Sequence, residues 1–374
     1  MNESTVKTQS NGRLLSLDAM RGAIMILLCA ESCLLYVALK DLNMTAPFST
    51  LVEQFFHHPW HGLRFWDLVQ PAFMFMAGSA LYISYSRKRE KGESWAHNFK
   101  HIFTRSLKLF ICGVGLHCVY AGKPVWELWN VLTQLAFTTL IAYLIINKSG
   151  IWQVSFSFAL LLLTELLYRY THIPNFDSPF EEYRNFGAYM DTVLMGKINS
   201  DGWVAINIIP TAAHTIWGVL AGRLLIDQSR SGSTKIKTLV AYGLILLLVG
   251  YALDLSEITP IIKRISTSSF TLASGGWVII ILAAMYWLID IRKQQRYVWI
   301  LTVMGMNAIF IYLFFETVGM QWLNGIVNIF TGELLLLWFN IPVKIAALVS
   351  ALAVWVLEWY LCYWLFKKKI FFKL

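Results

Sequence analysis

Charge is scarce in this chain. Asp, Glu, Lys and Arg make up 14% of its 374 residues, against 57% hydrophobic residues and 16 Trp, a balance that excludes a disordered chain and does not fit an ordinary soluble one. Cysteine is sparse as well. Cys29, Cys33, Cys112, Cys118 and Cys362 lie in apolar segments without metal-ligand spacing, so they read as small hydrophobes, and no metal is expected. No linker, low-complexity tract or internal repeat divides the sequence, so residues 1–374 read as one membrane domain. A short cytoplasmic tail occupies 1–12, and a polar loop at 171–201 is a lid or acceptor platform. The first apolar segment lacks a small-residue cleavage pattern and is interrupted early by Asp18 and Arg21, so it reads as a retained helix rather than a signal peptide.

Long apolar runs are what the chain does have. Crossing about 30 Å of hydrocarbon takes roughly 20 helical residues, and such runs fall near 14–38, 65–86, 101–120, 126–147, 150–170, 203–226, 236–254, 267–290, 298–319 and 343–366. The expectation is an all-α polytopic bundle of about ten spans. The apolar stretch 321–340 is broken by Asn324, Gly325, Asn328, Gly332 and Glu333, and reads equally as a re-entrant piece or an eleventh span. Basic residues concentrate in one set of alternate loops, among them Arg87-Lys88-Arg89, Arg223, Arg292-Lys293 and Lys367-Lys368-Lys369, which places both termini in the cytoplasm. The net charge of +9 follows from this asymmetry and from anionic lipid headgroups, so no nucleic-acid partner is implied.

Against that apolar background, ionisable groups need a reason, because each costs about 2.5–3.5 kcal/mol at the centre of an inserted helix. Asp18 and Arg21 share a face near the cytoplasmic end of the first span; they are a structural ion pair or a contact for an anionic cytoplasmic ligand. Glu31 lies ten residues beyond Arg21, about 15 Å further outward. The same depth argument puts Asp67 at the outer mouth of the second span and His214 near the midplane of the sixth. Lys263 and Arg264 fall at the outer mouth of the eighth, and Asn307 and Glu316 in the ninth. These groups are expected to converge with the outer loop His57-His58-Pro59-Trp60-His61 on one cavity, since mixed clusters of imidazoles, carboxylates and bases mark catalysis or translocation. Trp60 and Trp66 read as sugar-stacking surfaces or as an interfacial belt.

Several of these segments carry a resemblance. Arg13-Leu-Leu-Ser-Leu-Asp18-Ala-Met-Arg21-Gly22, then His57 through Asp67 to Gly78, then Gly218-Val-Leu-Ala-Gly222 and Met306-Asn307-Ala-Ile-Phe-Ile-Tyr312 resemble the heparan-α-glucosaminide N-acetyltransferase family of transmembrane acyltransferases, with its bacterial DUF5009 branch as the nearest fit. The similarity runs in order from the first span to the ninth.

The resemblance implies transfer of an acetyl group from cytoplasmic acetyl-CoA, as co-substrate, to an amino-sugar or other glycan acceptor on the far face of the membrane. It further implies a bacterial inner membrane location and a homodimer. The family's catalytic histidine stands two residues before a Pro-Trp or Ser-Trp step, which is His57 here, with His58 and His61 as alternatives or as supporting groups. A neutral imidazole can take a proton from the acceptor or accept the acetyl group itself, and both routes remain open. Glu31 and Asp67 are expected to orient His57 or deprotonate the acceptor. Arg21 and Asp18, with Lys263 and Arg264, are expected to meet the donor; His58, His61, Trp60, His214, Asn307 and Glu316 the acceptor. One departure bears on substrate. Where eukaryotic members carry an active-site asparagine, this chain reads Ala30-Glu31-Ser32 with Ser32 aligned, and an ionised glutamate cannot donate to an oxyanion. The heparan acceptor is therefore not carried over.

The competing class is a proton-coupled transporter or flippase of a sugar-like or lipid-linked substrate, in which the same buried groups would relay protons. The paired inverted repeats common in transporters are not visible in the sequence.

Overall fold

A computed structural model describes residues 14–372; the expected tail 1–12, with Lys7, and the positions Arg13 and Lys373 lie outside the described residues. Every regular element among them is a helix. In chain order these are α1 (Leu15–Ser32), α2 (Leu35–Asp41), α3 (Phe48–Glu53), α4 (Val69–Glu90), α5 (Trp95–Ala121), α6 (Val131–Leu144), α7 (Gly150–Tyr170), α8 (Phe186–Met195), α9 (Ile208–Ile226) and α10 (Gly232–Leu255). They are followed by α11 (Ser268–Met285), which runs on through a π turn to Ile291, then α12 (Val298–Met306), α13 (Ala308–Phe339) and α14 (Val343–Lys367). Polar caps mark many of the starts. Ser94, Asn130, Ser149, Asn185, Ser231 and Thr267 each accept a backbone N–H from the first turn, which satisfies donors that hydrocarbon would leave bare.

Among the described residues, seven helical stretches are long and apolar enough to cross a membrane, and α1 with α2 would make an eighth but for a 57° bend between them. The bend is set at Leu34, whose φ of 64° is left-handed and stops the helix. The chain is thus a polytopic helical bundle, while the expected count of ten is not reached by that measure. The run 126–147 holds a helix of only 14 residues, α4 carries polar Gln70, Ser79 and Ser84 along its length, and the ninth run breaks at Asn307. The undecided stretch 321–340 simply continues α13, a helix of 32 residues in which Asn324, Gly325 and Asn328 stay α-helical between two π turns, the second of which holds Gly332.

Small residues decide how the central helices meet. A side chain at Gly78 of α4 would lie 1.9 Å from the Thr215 carbonyl oxygen of α9, and one at Gly218 of α9 would lie 2.0 Å from that of Phe75. Ser79 Oγ donates to the Gly218 carbonyl at 3.0 Å. The same device joins α1 to α12, where a Cβ on Gly22 would meet Leu301 O at 1.7 Å. With lipid tails as apolar as Leu, close backbone approach and such hydrogen bonds are what hold helices together. This α1, α4, α9, α12 framework sets the depth of the loop that follows α3.

Candidate active site

The histidine loop is fixed from two sides. His61 pairs in an isolated antiparallel bridge with Ile262, and the Gly62 N–H donates to Ile261 O at 2.8 Å. Gly62 has a φ of 140°, and a Cβ there would lie 2.7 Å from the His58 ring, so glycine is required for the loop to close on itself. That pairing delivers Lys263, 206 residues away in sequence, to the neighbourhood of His57.

From the other side the loop is gathered by Asp67, which is fully buried in a short 3-10 turn ahead of α4. One carboxylate oxygen accepts the backbone N–H groups of Arg64 (2.8 Å) and His58 (3.3 Å). The other lies 2.9 Å from His57 Nδ1 and 3.5 Å from Lys263 Nζ. Lys263 Nζ is itself 2.9 Å from the same Nδ1, so the ring nitrogen sits between a carboxylate and an ammonium. Nδ1 either donates to Asp67 or accepts from Lys263; in the tautomer that donates to Asp67, Nε2 keeps a lone pair, and no described residue bonds that atom. Burial, then the Lys263 charge, pull the imidazole down from its ordinary 6.5 to about 4, with Asp67 acting in the opposite sense. Burial likewise lowers the Lys263 ammonium to about 8. At neutral pH His57 is therefore uncharged and Lys263 mostly charged.

His57 and Lys263 open onto a cavity of about 360 Å³, whose wall also includes Glu31, Trp203, His117 and Glu316. That volume lies within the roughly 300–1,000 Å³ of small-molecule sites. Trp203 meets the His57 ring edge-on at 5.7 Å and lies 5.2 Å from Lys263 Nζ. Glu31 does not reach His57 as expected: its carboxylate accepts from Trp66 Nε1 at 2.8 Å, and its exposed surface forms cavity wall. Orientation of the imidazole belongs to Asp67. Glu316 accepts from the Tyr120 hydroxyl at 2.5 Å.

The expected convergence is partial. His57, Asp67, Glu31, Trp66, Lys263 and Glu316 come together. Arg264 turns away to Glu182 and the Asp201 carbonyl; His61 pairs with Asp254 at 2.7 Å on the surface; Trp60 donates to Phe180 O at 2.8 Å inside a separate apolar cluster. The His58 ring packs on Gly62. His214 is fully buried between α9 and α11; its Nε2 bonds Thr271 O and Ser274 Oγ, while its Nδ1 has no hydrogen-bond partner among the described residues. Asn307, also buried, clasps the C-terminal segment through Ile370 O and the Phe372 N–H. Neither lines the cavity. Asp18 and Arg21 pair at 3.7 Å, ten or more residues along α1 from Glu31. Ser32, at the family's asparagine position, donates to Phe315 O at 3.1 Å and faces α13 rather than the cavity.

Residue-level reasoning missed one part of the wall. His117 Nδ1 lies 2.7 Å from Glu127, whose other oxygen bonds Lys197; next to it Trp129 Nε1 donates to Asp191 at 2.7 Å. No spacing signal marks these pairs: His117 and Glu127 meet across a loop, and Trp129 and Asp191 lie 62 residues apart.

The family model described as heparan-alpha-glucosaminide N-acetyltransferase, catalytic, matches residues 13–253, a stretch that contains the histidine loop, α1 and the α4–α9 crossing. No curated protein matches the sequence.

Proposed function

Because this chain belongs to the heparan-α-glucosaminide N-acetyltransferase catalytic family, a family of transmembrane acetyltransferases, we propose that it moves an acetyl group from acetyl-CoA on the cytoplasmic side to an amino-sugar or other glycan acceptor on the outer face of a bacterial inner membrane. One observation carries the reading: His57 is tied through Nδ1 to a fully buried carboxylate, with Nε2 free at a cavity wall.

In this reading His57 is the acyl acceptor. An imidazole held near 4 is a feeble base toward an amine or hydroxyl, but it keeps an available lone pair at neutral pH, and its acyl derivative has a good leaving group. Nε2 attacks the thioester carbon, the C–N bond forms, the C–S bond breaks, and CoA departs as the thiolate. Asp67 holds the tautomer and stabilises the positive ring. Lys263, beside the ring, offsets negative charge on the thioester oxygen and the leaving thiolate. Arg21 meets the donor's phosphates from the cytoplasmic side. Glu31 and Glu316 present carboxylates to the acceptor, a lining that suits a cationic amine.

The test is CoA thiol release by the purified protein in detergent with acetyl-CoA, for wild type and His57→Ala. Release by wild type that the variant loses supports the proposal. A folded wild type that neither binds nor turns over acetyl-CoA sinks it, and proton-coupled uptake in vesicles would then identify a transporter.

A further inference from the structure

An imidazole that carries the acyl group cannot also take the acceptor's proton. If His57 is the acyl carrier, the second half of the reaction needs another base in the same cavity, and the wall contains one histidine besides His57. His117 projects from the last turns of α5 and lines the cavity. Its Nδ1 is 2.7 Å from Glu127 Oε2, and Lys197 bonds the other oxygen of that carboxylate. The ring is wedged edge-on between Tyr120 at 5.7 Å and Trp129 at 6.2 Å. Lys197 lies 5.8 Å from the Trp129 ring, and Asp191 takes the Trp129 indole N–H. The imidazole is thus oriented as firmly as His57, by a histidine and carboxylate pair of the same kind.

Its remaining nitrogen is the telling atom. With Nδ1–H given to Glu127, Nε2 holds a lone pair, and this buried atom has no hydrogen-bond partner among the described residues. Buried polar atoms are nearly always paired; this one is covered although its side chain lines the cavity, so an acceptor reaches it with a shift of the ring or of the groups that cover it. The neighbouring Tyr120 and Glu316 are already bonded to each other and do not supply a partner.

We propose that His117, backed by Glu127, is the acceptor-side base of this site; the proposal rests on His57 as acyl carrier. The acceptor's amine or hydroxyl attacks the carbonyl carbon of acyl-His57. The new bond to nitrogen or oxygen forms, and the bond from carbon to His57 Nε2 breaks with its electron pair returning to the ring. The acceptor's proton passes to His117 Nε2 and then to solvent, where it balances the thiolate released in the donor step. Water attacks by the same route when no acceptor is present.

The experiment loads the detergent-purified full chain with radiolabelled acetyl-CoA, removes excess donor, and follows loss of protein-bound label in buffer alone and with glucosamine as probe. His117→Gln is expected to load and then to discharge about 100-fold or more slowly under both conditions, the range of a lost general base. Glu127→Gln, which keeps a hydrogen-bond partner but not the charge, is expected to slow discharge by a smaller factor. Discharge of His117→Gln at the wild-type rate overturns the proposal. So does failure of a folded His117→Gln to load, which would place His117 in the donor step or the fold. Wild type that never takes label would instead remove the His57 reading on which the proposal stands.

Discussion

Replacing Lys263 by Met isolates the electrostatic control of His57. Met keeps most of the buried stem under Trp203 and deletes the ammonium, which stands 2.9 Å from His57 Nδ1. At that separation two unit charges repel by about 1.4 kcal/mol even at the dielectric constant of water, and by more in a partly dry site. Because about 1.36 kcal/mol corresponds to one pH unit, protonation of His57 in the variant should move up from about 4 by about one unit or more. The sign is set by the unprotonated ring being the active form: activity is retained above the imidazole's pKa and lost as pH falls through it. CoA release in the absence of acceptor, measured from about pH 3.5 to about pH 8, should therefore show an acid limb displaced to higher pH in Lys263→Met, with Lys263→Arg staying near wild type. An acid limb that stays in place or moves to lower pH would refute the assigned relation between Lys263 and His57.

Other perturbations separate the groups that act from the groups that pack. Asp67→Asn should lower CoA release by about 100-fold or more, since the amide can favour the wrong tautomer, and stopped-flow thiol detection reads it directly. His214→Ala should lower the melting temperature, through loss of a buried, bonded ring, by about 1–3 kcal/mol of stability, while the acid limb of CoA release stays where it is. Gly78→Ala forces a methyl against the Thr215 carbonyl and should destabilise the α4–α9 crossing by roughly 1–3 kcal/mol or more, seen as a lower melting temperature in detergent. Glu31→Gln should leave the Trp66 hydrogen bond in place and raise the apparent KM for an amine acceptor by about tenfold or more, the scale of one charged hydrogen bond.

Much of the bundle was legible because apolar length is a strong signal, whereas the close α4–α9 crossing at Gly78 and Gly218 was not read from the sequence. Span boundaries failed where backbone geometry overrides composition. Leu34 adopts a left-handed conformation that no glycine announces, and the Asn and Gly positions of 321–340 look like breakers but stay helical in α13, Asn324 to Asn328 as α-helix and Gly332 in a π turn. At the site, His57 and Asp67 were readable because they lie ten residues apart around one turn. The depth argument brought Lys263 and Glu316 to the cavity but not His214 and Asn307, since depth says nothing of which way a side chain faces. His117 and Glu127 went unread because their pairing depends on how the chain folds back after Gly122.

The most direct measurement is the location of the acyl group during turnover. The purified protein is mixed with isotopically labelled acetyl-CoA, quenched within a turnover, and mapped by peptide mass spectrometry at neutral pH. The account predicts a labile acetyl mass on the peptide containing His57, absent from His57→Ala and discharged as free CoA accumulates. Turnover with label on another residue, or with no label on the protein at any time, would contradict it.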